Sequence, residues 1–242
     1  MIFVSSWDDG HPLDRRVADM YLERGLSTTF YVPLSNCEGR PVMVHEDLRA
    51  IDSCGFEIGN HTANHRYLDT LSAMQVQQQI VEGKKGLEQI LGHKVAGFCF
   101  PGGRRPAISV ARLEMFGISY ARTVENLRTD MNFNTFQIPT TLQFYPHSWK
   151  VLLRNALYAP NHLARKFELI ACRARKGRSL AALANMIDSM ANDDIVFHIW
   201  GHSWEVEKLE AWHDLGLLLD AVKSSAIKTL TVEQLSQLKV SK

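Results

Sequence analysis

Short runs of apolar residues alternate with amphipathic stretches along almost the whole chain of 242 residues. The apolar runs are rich in β-branched and aromatic residues, and they predict strands at Ile2–Ser6, Thr28–Val32, Phe56–Gly59, Gly97–Phe100, Ser119–Arg122, Phe136–Ile138, Ile195–Trp200 and Ile227–Leu230. The stretches between them predict helices at Asp14–Arg24, His45–Cys54, Ser72–Leu91, Pro106–Phe116, Leu180–Met190 and Lys208–Ser224. This alternation predicts a mostly parallel sheet with helices outside it, and seven or eight repeats favour a closed or nearly closed barrel.

The region Tyr145–Gly177 interrupts this alternation. Its apolar residues have helical spacing, and Pro160 interrupts them. We therefore expect a helical insertion around residues 147–177, after the sixth strand, on the face from which the βα loops emerge. Because the sequence has no internal repeat, low-complexity tract or linker, we expect a single domain over residues 1–242.

Composition excludes several classes of protein. Apolar residues make up 45% and charged residues 22% of the chain, as in ordinary soluble proteins, and the formal net charge is +1. Such a charge is too small to attract nucleic acid or an anionic membrane, so we expect neither partner. The sequence contains no apolar run long enough for a membrane span, no visible signal peptide and no C-x-x-C pair, and these features together predict a cytoplasmic protein. Oligomeric state is not indicated.

Two acidic residues and a glycine, Asp8, Asp9 and Gly10, follow the first predicted strand. An isolated Asp-Asp-Gly is most simply a turn. Here it lies between a buried strand and a helix, on the face where barrels and open α/β sheets bind ligands. Neighbouring residues at a strand end point in opposite directions, so the two carboxylates can serve different purposes.

Two histidines, His61 and His65, follow the third predicted strand. A spacing of four places both imidazoles on one side of a helical turn, close enough to share a metal ion. Thr62 stands where a zinc protease of the H-E-x-x-H class has its catalytic glutamate, which argues against that class. One aspartate and two histidines leave a coordination position open for water, which is typical of a catalytic metal site.

Two further segments complete the candidate chemistry. Pro101-Gly102-Gly103 follows the fourth strand, where it is either a simple turn or a loop whose N–H groups stabilise an oxyanion. The late strand and its end carry His198 and His202. His202 lies past the strand and is the better general acid candidate, whereas His198 is mid-strand and is equally well explained as a hydrogen-bonded interior histidine.

These four segments, in this order, resemble the polysaccharide deacetylase family, also called the nodulation-type deacetylase homology domain. The resemblance covers nearly the whole chain. It implies a distorted (β/α)7-type barrel that removes acetyl groups from N-acetylated sugars with a divalent metal, most often Zn²⁺, with Ni²⁺, Co²⁺ and Mn²⁺ as alternatives. It also implies that Asp9, His61 and His65 bind the metal, that Asp8 is the general base, that the Gly102 N–H stabilises the oxyanion, and that His202 or else His198 protonates the leaving amine.

The sequence also departs from the family pattern. Cys99 occupies the position where better-studied members carry the arginine that orients the base, and Arg104, Arg105 or Arg122 could replace it. The Asp-Trp motif usual after the fifth strand is missing. We expect substrate contacts from Trp7, Arg104, Arg122, His147 and Trp204, and a cytoplasmic N-acetylated sugar or glycan precursor as substrate. Two alternatives stay open: another amide or ester hydrolase, such as a deformylase or O-deacetylase, and a degenerate carbohydrate-binding protein.

Overall fold

A computed structural model describes residues 1–105, 110, 112–158, 163–176 and 179–240. Its strands are β1 (Ile2–Asp8), β2 (Thr29–Val32), β3 (Glu57–Asn60), β4 (Gly97–Cys99), β5 (Tyr120–Arg122), β6 (Leu142–Gln143), β7 (Val196–Gly201) and β8 (Lys228–Leu230). All strand pairs between them are parallel, in the order β5-β4-β3-β2-β1-β7-β6, and β8 pairs with the first half of β1. The fold is a distorted (β/α)7-type barrel, which confirms the predicted fold class.

The sixth predicted strand is displaced. Thr135–Gln137 forms a 3₁₀ turn, and Ile138 makes a single parallel bridge to Arg122 before the chain reaches β6. The segment between them therefore pairs with β5 at one end and with β7 at the other, and it draws the two edges of the sheet together. The apolar residues of Phe136–Ile138 do not reveal this, because pairing depends on which neighbouring strands the segment meets in the folded barrel.

The helices pack outside the sheet: α1 (Asp14–Leu22), α2 (His45–Ser53), α3 (Ala73–Leu91), α4 (Trp149–Tyr158), α5 (Leu163–Lys176), α6 (Ala182–Met190), α7 (Ser203–Lys208), α8 (Trp212–Ser224) and α9 (Val232–Val240). Ser72 caps α3 through a capping box with Gln75, and Gly92 ends it in the left-handed conformation. The predicted helix Lys208–Ser224 is wrong at its start, since Leu209–Ala211 separate α7 from α8.

The expected insertion around 147–177 is present as α4 and α5, while residues 159–162 and 177 lie outside the described part of the chain. Of the helix predicted at Pro106–Phe116, residues 106–109 and 111 also lie outside it, and Glu114–Phe116 is a 3₁₀ turn. Within the described residues, no helix combines the length and apolar character that a membrane crossing requires.

Parallel pairing brings the carboxyl ends of the strands to one end of the barrel. The four segments singled out in the sequence all begin there, directly after β1, β3, β4 and β7. Aromatic and aliphatic side chains from the strands and the surrounding helices form three buried hydrophobic clusters. The fold therefore supports a rigid platform for side chains that are up to about two hundred residues apart in sequence.

Candidate active site

Three potential metal ligands meet above the sheet. Asp9 Oδ1 lies 3.0 Å from His65 Nε2 and 3.7 Å from His61 Nε2, and the two imidazole rings are 4.9 Å apart. One ligand atom of each residue lies within 4.8 Å of the other two, and all three residues are buried. The predicted convergence of two distant segments is therefore present in the fold.

The segment that carries the histidines is not helical. Residues 61–65 form a turn in which Thr62 and His65 have positive φ values of 71° and 57°. The expectation that a helical turn would align the two imidazoles is wrong. The rings converge because the turn folds back on itself, with the Thr62 N–H donating to Asn60 Oδ1 at 2.9 Å.

Helix α3 supports this turn at very close range. The Asn60 side chain donates to the carbonyl of Ile80, and the Ala63 N–H donates to the carbonyl of Gln79, both at 2.9 Å. A Cβ atom on Gly83 would come within 2.5 Å of Asn60 Oδ1 and 2.6 Å of the Thr62 carbonyl carbon. Gly83, one of two glycines inside α3, is therefore required for the helix to approach the histidine turn.

The imidazole of His61 is oriented by a backbone group. Its Nδ1 lies 2.9 Å from the carbonyl oxygen of Cys99, so Nδ1–H donates and Nε2 keeps its lone pair toward Asp9. Burial lowers the pKa of His61 to about 4, against the opposing effect of the nearby carboxylates. A neutral imidazole with a free Nε2 is the form that binds a metal ion.

Asp8 forms a second group with His61 and Cys99, in which one potential ligand atom of each residue lies within 4.8 Å of the other two. One carboxylate oxygen accepts a hydrogen bond from Arg122 Nη2, and the other lies 3.8 Å from the Cys99 thiol. Arg122 is fully buried, with Tyr31 and Trp200 on its faces at 5.2 and 5.1 Å. Burial opposes its charge, but the Asp8 carboxylate outweighs that cost and raises the pKa of Arg122.

Arg122 therefore occupies the place expected for the missing arginine. Cys99 and Arg122 are register partners in the β4–β5 ladder, so the guanidinium comes from the neighbouring strand. Of the three candidates considered, Arg122 contacts Asp8, whereas Arg104 lies against Tyr67 and Arg105 donates to Gln137. Because Arg122 is enclosed, the structure does not support its predicted contact with substrate.

The segment after β7 supplies three residues of the site, His202, Trp204 and Glu205. The indole N–H of Trp204 donates to Asp9 Oδ2 at 2.9 Å, and the Trp204 ring stacks on that of His202. His202 Nδ1 lies 2.7 Å from Glu205 Oε2. Burial alone would lower the pKa of His202, but the hydrogen bond that its ring donates to Glu205 and the charges of Asp9 and Asp8 raise it.

Two predicted site residues belong to the core instead. His198 is buried beneath the site, with Nε2 at 3.0 Å from Ser6 Oγ and Nδ1 at 3.1 Å from the Pro139 carbonyl. Trp7 is 1% exposed and packs against Tyr21 and Phe144. The β1–β7 register places the two side chains on opposite faces of the sheet, and both are buried there. The structure therefore supports neither His198 as the general acid nor Trp7 as a sugar contact.

A pocket of about 220 Å³ opens over the ligand cluster and is lined by Asp8, Asp9, Glu38, Arg40, His61, His65, Tyr67, Gly102, Val124, Trp200, His202, Trp204 and Glu205. Gly102 has a positive φ of 60° and faces Tyr67, which places the predicted oxyanion loop at the pocket. His147 is not in this lining; its Nε2 lies 2.8 Å from Gln143 Oε1, and Gln143 in turn donates to Glu205.

Three residues that line the pocket were not predicted from the sequence. Glu38, Arg40 and Tyr67 lie in loops whose composition carries no signal. Tyr67 OH donates to Glu38 Oε1 at 2.7 Å, and Arg40 pairs with Glu38 and covers the Trp204 ring. Only the folding of these loops over the end of the barrel brings them to the pocket.

The sequence of residues 2–121 matches the model of the family described as polysaccharide deacetylase. The chain belongs to the polysaccharide deacetylase family. No curated protein matches the chain.

Solved structures with this fold include the chitin deacetylase from the fungal pathogen Colletotrichum lindemuthianum, with a TM-score of 0.64 and 16% identity over 97% of this chain and 86% of that one. A family 4 acetyl xylan esterase from Clostridium thermocellum, in complex with a cobalt ion, has a TM-score of 0.59 and 16% identity over 98% and 91%. A Streptococcus pyogenes deacetylase in complex with acetate has a TM-score of 0.53 and 14% identity over 56% of this chain and only 62% of that one. These likenesses concern the fold alone.

The family fold also includes a protein without activity. A Bacillus anthracis pseudoenzyme of carbohydrate esterase family 4 has a TM-score of 0.61 and 13% identity over 97% of this chain and 65% of that one. A mutant of the same protein with restored enzymatic activity has the same fold. The fold therefore does not by itself establish activity, which depends on the residues present at the site.

Proposed function

We propose that this protein is a metal-dependent deacetylase that hydrolyses the amide of an N-acetylated sugar or glycan precursor. The proposal rests on the different contacts of two neighbouring carboxylates. Asp9 lies with both histidines in one group of potential ligands, whereas Asp8 lies outside that group and pairs with Arg122. A site that only bound carbohydrate would have no need of a second carboxylate held beside a metal cluster.

The residues present fit a divalent cation. Asp9, His61 and His65 offer one oxygen and two nitrogen donors, the set typical of catalytic zinc with a further position for water. The orienting contacts are in place as well, from the Cys99 carbonyl to His61 and from the Trp204 indole to Asp9. A cation bound there supplies Lewis acidity and lowers the pKa of coordinated water toward about 7. We propose Zn²⁺ as that cation.

Asp8 is the proposed general base. Its carboxylate lies beside the ligand cluster, and Arg122 holds it in one orientation in a buried setting. A fixed carboxylate can take the proton of an attacking water without first reorganising.

His202 is the proposed general acid, and its ring lines the same pocket as Asp8. Glu205 fixes Nδ1, so that Nε2 is the nitrogen available to protonate the leaving amine. The Gly102 N–H lies at the pocket wall, where it can donate to the oxyanion of the tetrahedral carbon; such donors contribute about 2.7–4 kcal/mol in other enzymes. Together these groups deliver the two proton transfers that amide hydrolysis requires.

Metal analysis combined with acetate release tests the proposal. The purified protein should bind one divalent ion, and Asp9→Asn should lose it. Asp8→Asn should keep the ion and lose turnover of small N-acetyl sugars. The matched control Asp52→Asn, on α2 outside the pocket, should change neither quantity.

The two alternative functions predict different results. Release of formate, or of acetate from O-acetyl esters only, would favour the deformylase or O-deacetylase alternative. A protein that binds metal and sugar yet hydrolyses nothing in the panel would favour the degenerate binding protein. Full activity in Asp8→Asn would remove Asp8 as the base.

A further inference from the structure

A second, larger cavity adjoins the metal pocket. Its volume is about 690 Å³, and it shares the wall residues Gly102 and Val124 with the pocket that contains Asp8 and Asp9. The size is within the range of cavities that hold a small-molecule ligand. A sugar whose acetamido group reaches the metal cluster therefore has room on one side for a large substituent.

Three arginines give this cavity its charge. Arg104 and Arg105 follow the Pro-Gly-Gly loop after β4, and Arg154 comes from α4 in the helical insertion. Two acids also line the cavity, but each is already paired: Asp69 lies 3.6 Å from Arg104, and Glu125 lies 3.0 Å from Arg128. Within the described residues, Arg105 and Arg154 form no ion pair with a carboxylate, and Arg105 donates to the neutral amide of Gln137 at 3.1 Å.

The cavity wall is held in a defined position relative to the metal cluster. The Arg104 guanidinium lies 4.4 Å from the centre of the Tyr67 ring, and Tyr67 itself lines the metal pocket. Asn126 and Asn155 add polar side chains to the lining. Cationic groups from two separate parts of the chain thus face one space that opens beside the proposed reaction centre.

We propose that this cavity binds a phosphate or diphosphate group attached to the sugar substrate. The inference rests on the proposed deacetylase function for the placement of the sugar. Arginine donates in a planar fork that matches phosphate oxygens, and two such groups without acidic partners suit a ligand with more than one negative charge. The phosphate comes either from a nucleotide or from a polyprenyl carrier, and both present the same chemistry to Arg105 and Arg154.

The kinetic test compares charged and neutral substrates. In Arg105→Gln/Arg154→Gln, KM for N-acetylglucosamine 1-phosphate and its uridine diphosphate ester should rise about ten- to a hundredfold, the effect of losing hydrogen bonds between charged groups. KM for neutral N-acetylglucosamine oligomers and all kcat values should stay unchanged. Arg49→Gln, on α2 outside the cavity, is the matched control. An equal change of KM for charged and neutral sugars, or no change for either, would overturn the proposal.

A binding test separates this inference from the catalytic one. Calorimetric titration of the full chain with uridine diphosphate and with inorganic pyrophosphate should give binding that the double variant weakens by a similar factor, even if no sugar is hydrolysed. Binding that is the same in both proteins would overturn the phosphate site. The KM values of the uridine diphosphate sugar and of the polyprenyl diphosphate sugar in detergent then show which of the two is the source of the phosphate. If neither KM is lower than that of the neutral sugar, the proposal is contradicted.

Discussion

Cys99 of β4 lies directly beside Arg122 of β5 in the parallel ladder, and both side chains contact Asp8. The arginine that the family resemblance leads one to expect at position 99 is therefore provided from the adjacent strand. The exchange preserves the contact between a guanidinium and the Asp8 carboxylate, although position 99 is a cysteine. It explains how the proposed base, Asp8, stays oriented although position 99 is a cysteine.

This relation predicts a specific loss in Arg122→Lys. Lysine keeps the buried positive charge but lacks the planar fork, so Asp8 loses its orientation. We expect kcat to fall about a hundredfold, the order of cost of a small misplacement of a reacting group, while metal content and KM stay unchanged. Steady-state kinetics and metal analysis measure both quantities.

An exchange variant provides the control. Cys99→Arg/Arg122→Cys returns the guanidinium to Asp8 from β4 and should recover activity that Arg122→Cys alone loses. Normal kcat in the folded Arg122→Lys protein would show that Asp8 does not depend on this contact.

Trp204 is expected to act on the metal ligand rather than on the sugar. Its indole N–H holds the second oxygen of Asp9 at 2.9 Å. Trp204→Phe removes this donor and should weaken metal affinity about ten- to a hundredfold, the usual effect of losing an orienting contact. Trp212→Phe is the matched control, because the Trp212 indole bonds to Glu207 on the outer surface. Competition with a chelator measures the affinity, and equal affinities in the two variants would refute the assignment.

The pH dependence of kcat should report on Glu205. The carboxylate of Glu205 helps to raise the pKa of His202, and a general acid must carry its proton. Glu205→Gln removes the negative charge, so the pKa of His202 falls and the alkaline limb of kcat moves to lower pH. Glu207→Gln, on the outer side of the same helix, should leave the profile in place. An unmoved alkaline limb in Glu205→Gln would exclude His202 as the titrating acid.

Gly83 should be intolerant of a methyl group. In Gly83→Ala the new Cβ would overlap Asn60 and the backbone of Thr62 and Ala63, which cannot move without displacing the histidine turn. We expect a loss of about 1–3 kcal/mol in the free energy of unfolding, together with weaker metal binding. Gly216→Ala on α8, where a Cβ meets nothing closer than 3.7 Å, should instead gain up to about 1 kcal/mol. Thermal melts with and without metal test this contrast.

Glu57 should make the protein less stable as the pH rises. Burial raises the pKa of Glu57 from 4.5 to about 7, although it accepts hydrogen bonds from the Glu233 N–H and from Thr29. The folded state therefore binds the proton more tightly than the unfolded state, and the stability contributed by the protonated acid is lost between about pH 4.5 and 7.

Glu57→Gln should remove this loss. At pH 8 it should raise the free energy of unfolding by at most about 3 kcal/mol, and at pH 4 the variant and the parent should agree. The exposed substitution Glu46→Gln is the control, with a pH dependence like that of the parent. Chemical denaturation at both pH values decides the point, and a variant no more stable than the parent at pH 8 would contradict it.

Several expectations failed for one shared reason. Trp7 and His198 have the residue types of a sugar-binding or acid site, but both are buried, on opposite faces of the sheet. The histidines at 61 and 65 have helical spacing, yet Asn60 and two positive φ values form a turn instead. Spacing along the chain indicates which residues are close in a regular helix or strand. It does not indicate which face of a strand is covered or how the backbone turns after the strand ends.

The sequence by itself determined the alternation of strands and helices, the barrel that follows from it, and the convergence of Asp9, His61 and His65, because periodicity and parallel pairing bring strand ends to one edge. Only the tertiary structure decided that Arg122 replaces the arginine expected at Cys99 and that Glu38 and Tyr67 border the pocket. These relations depend on strand register and on loops folding over the barrel, and both are set by contacts between residues far apart in the chain.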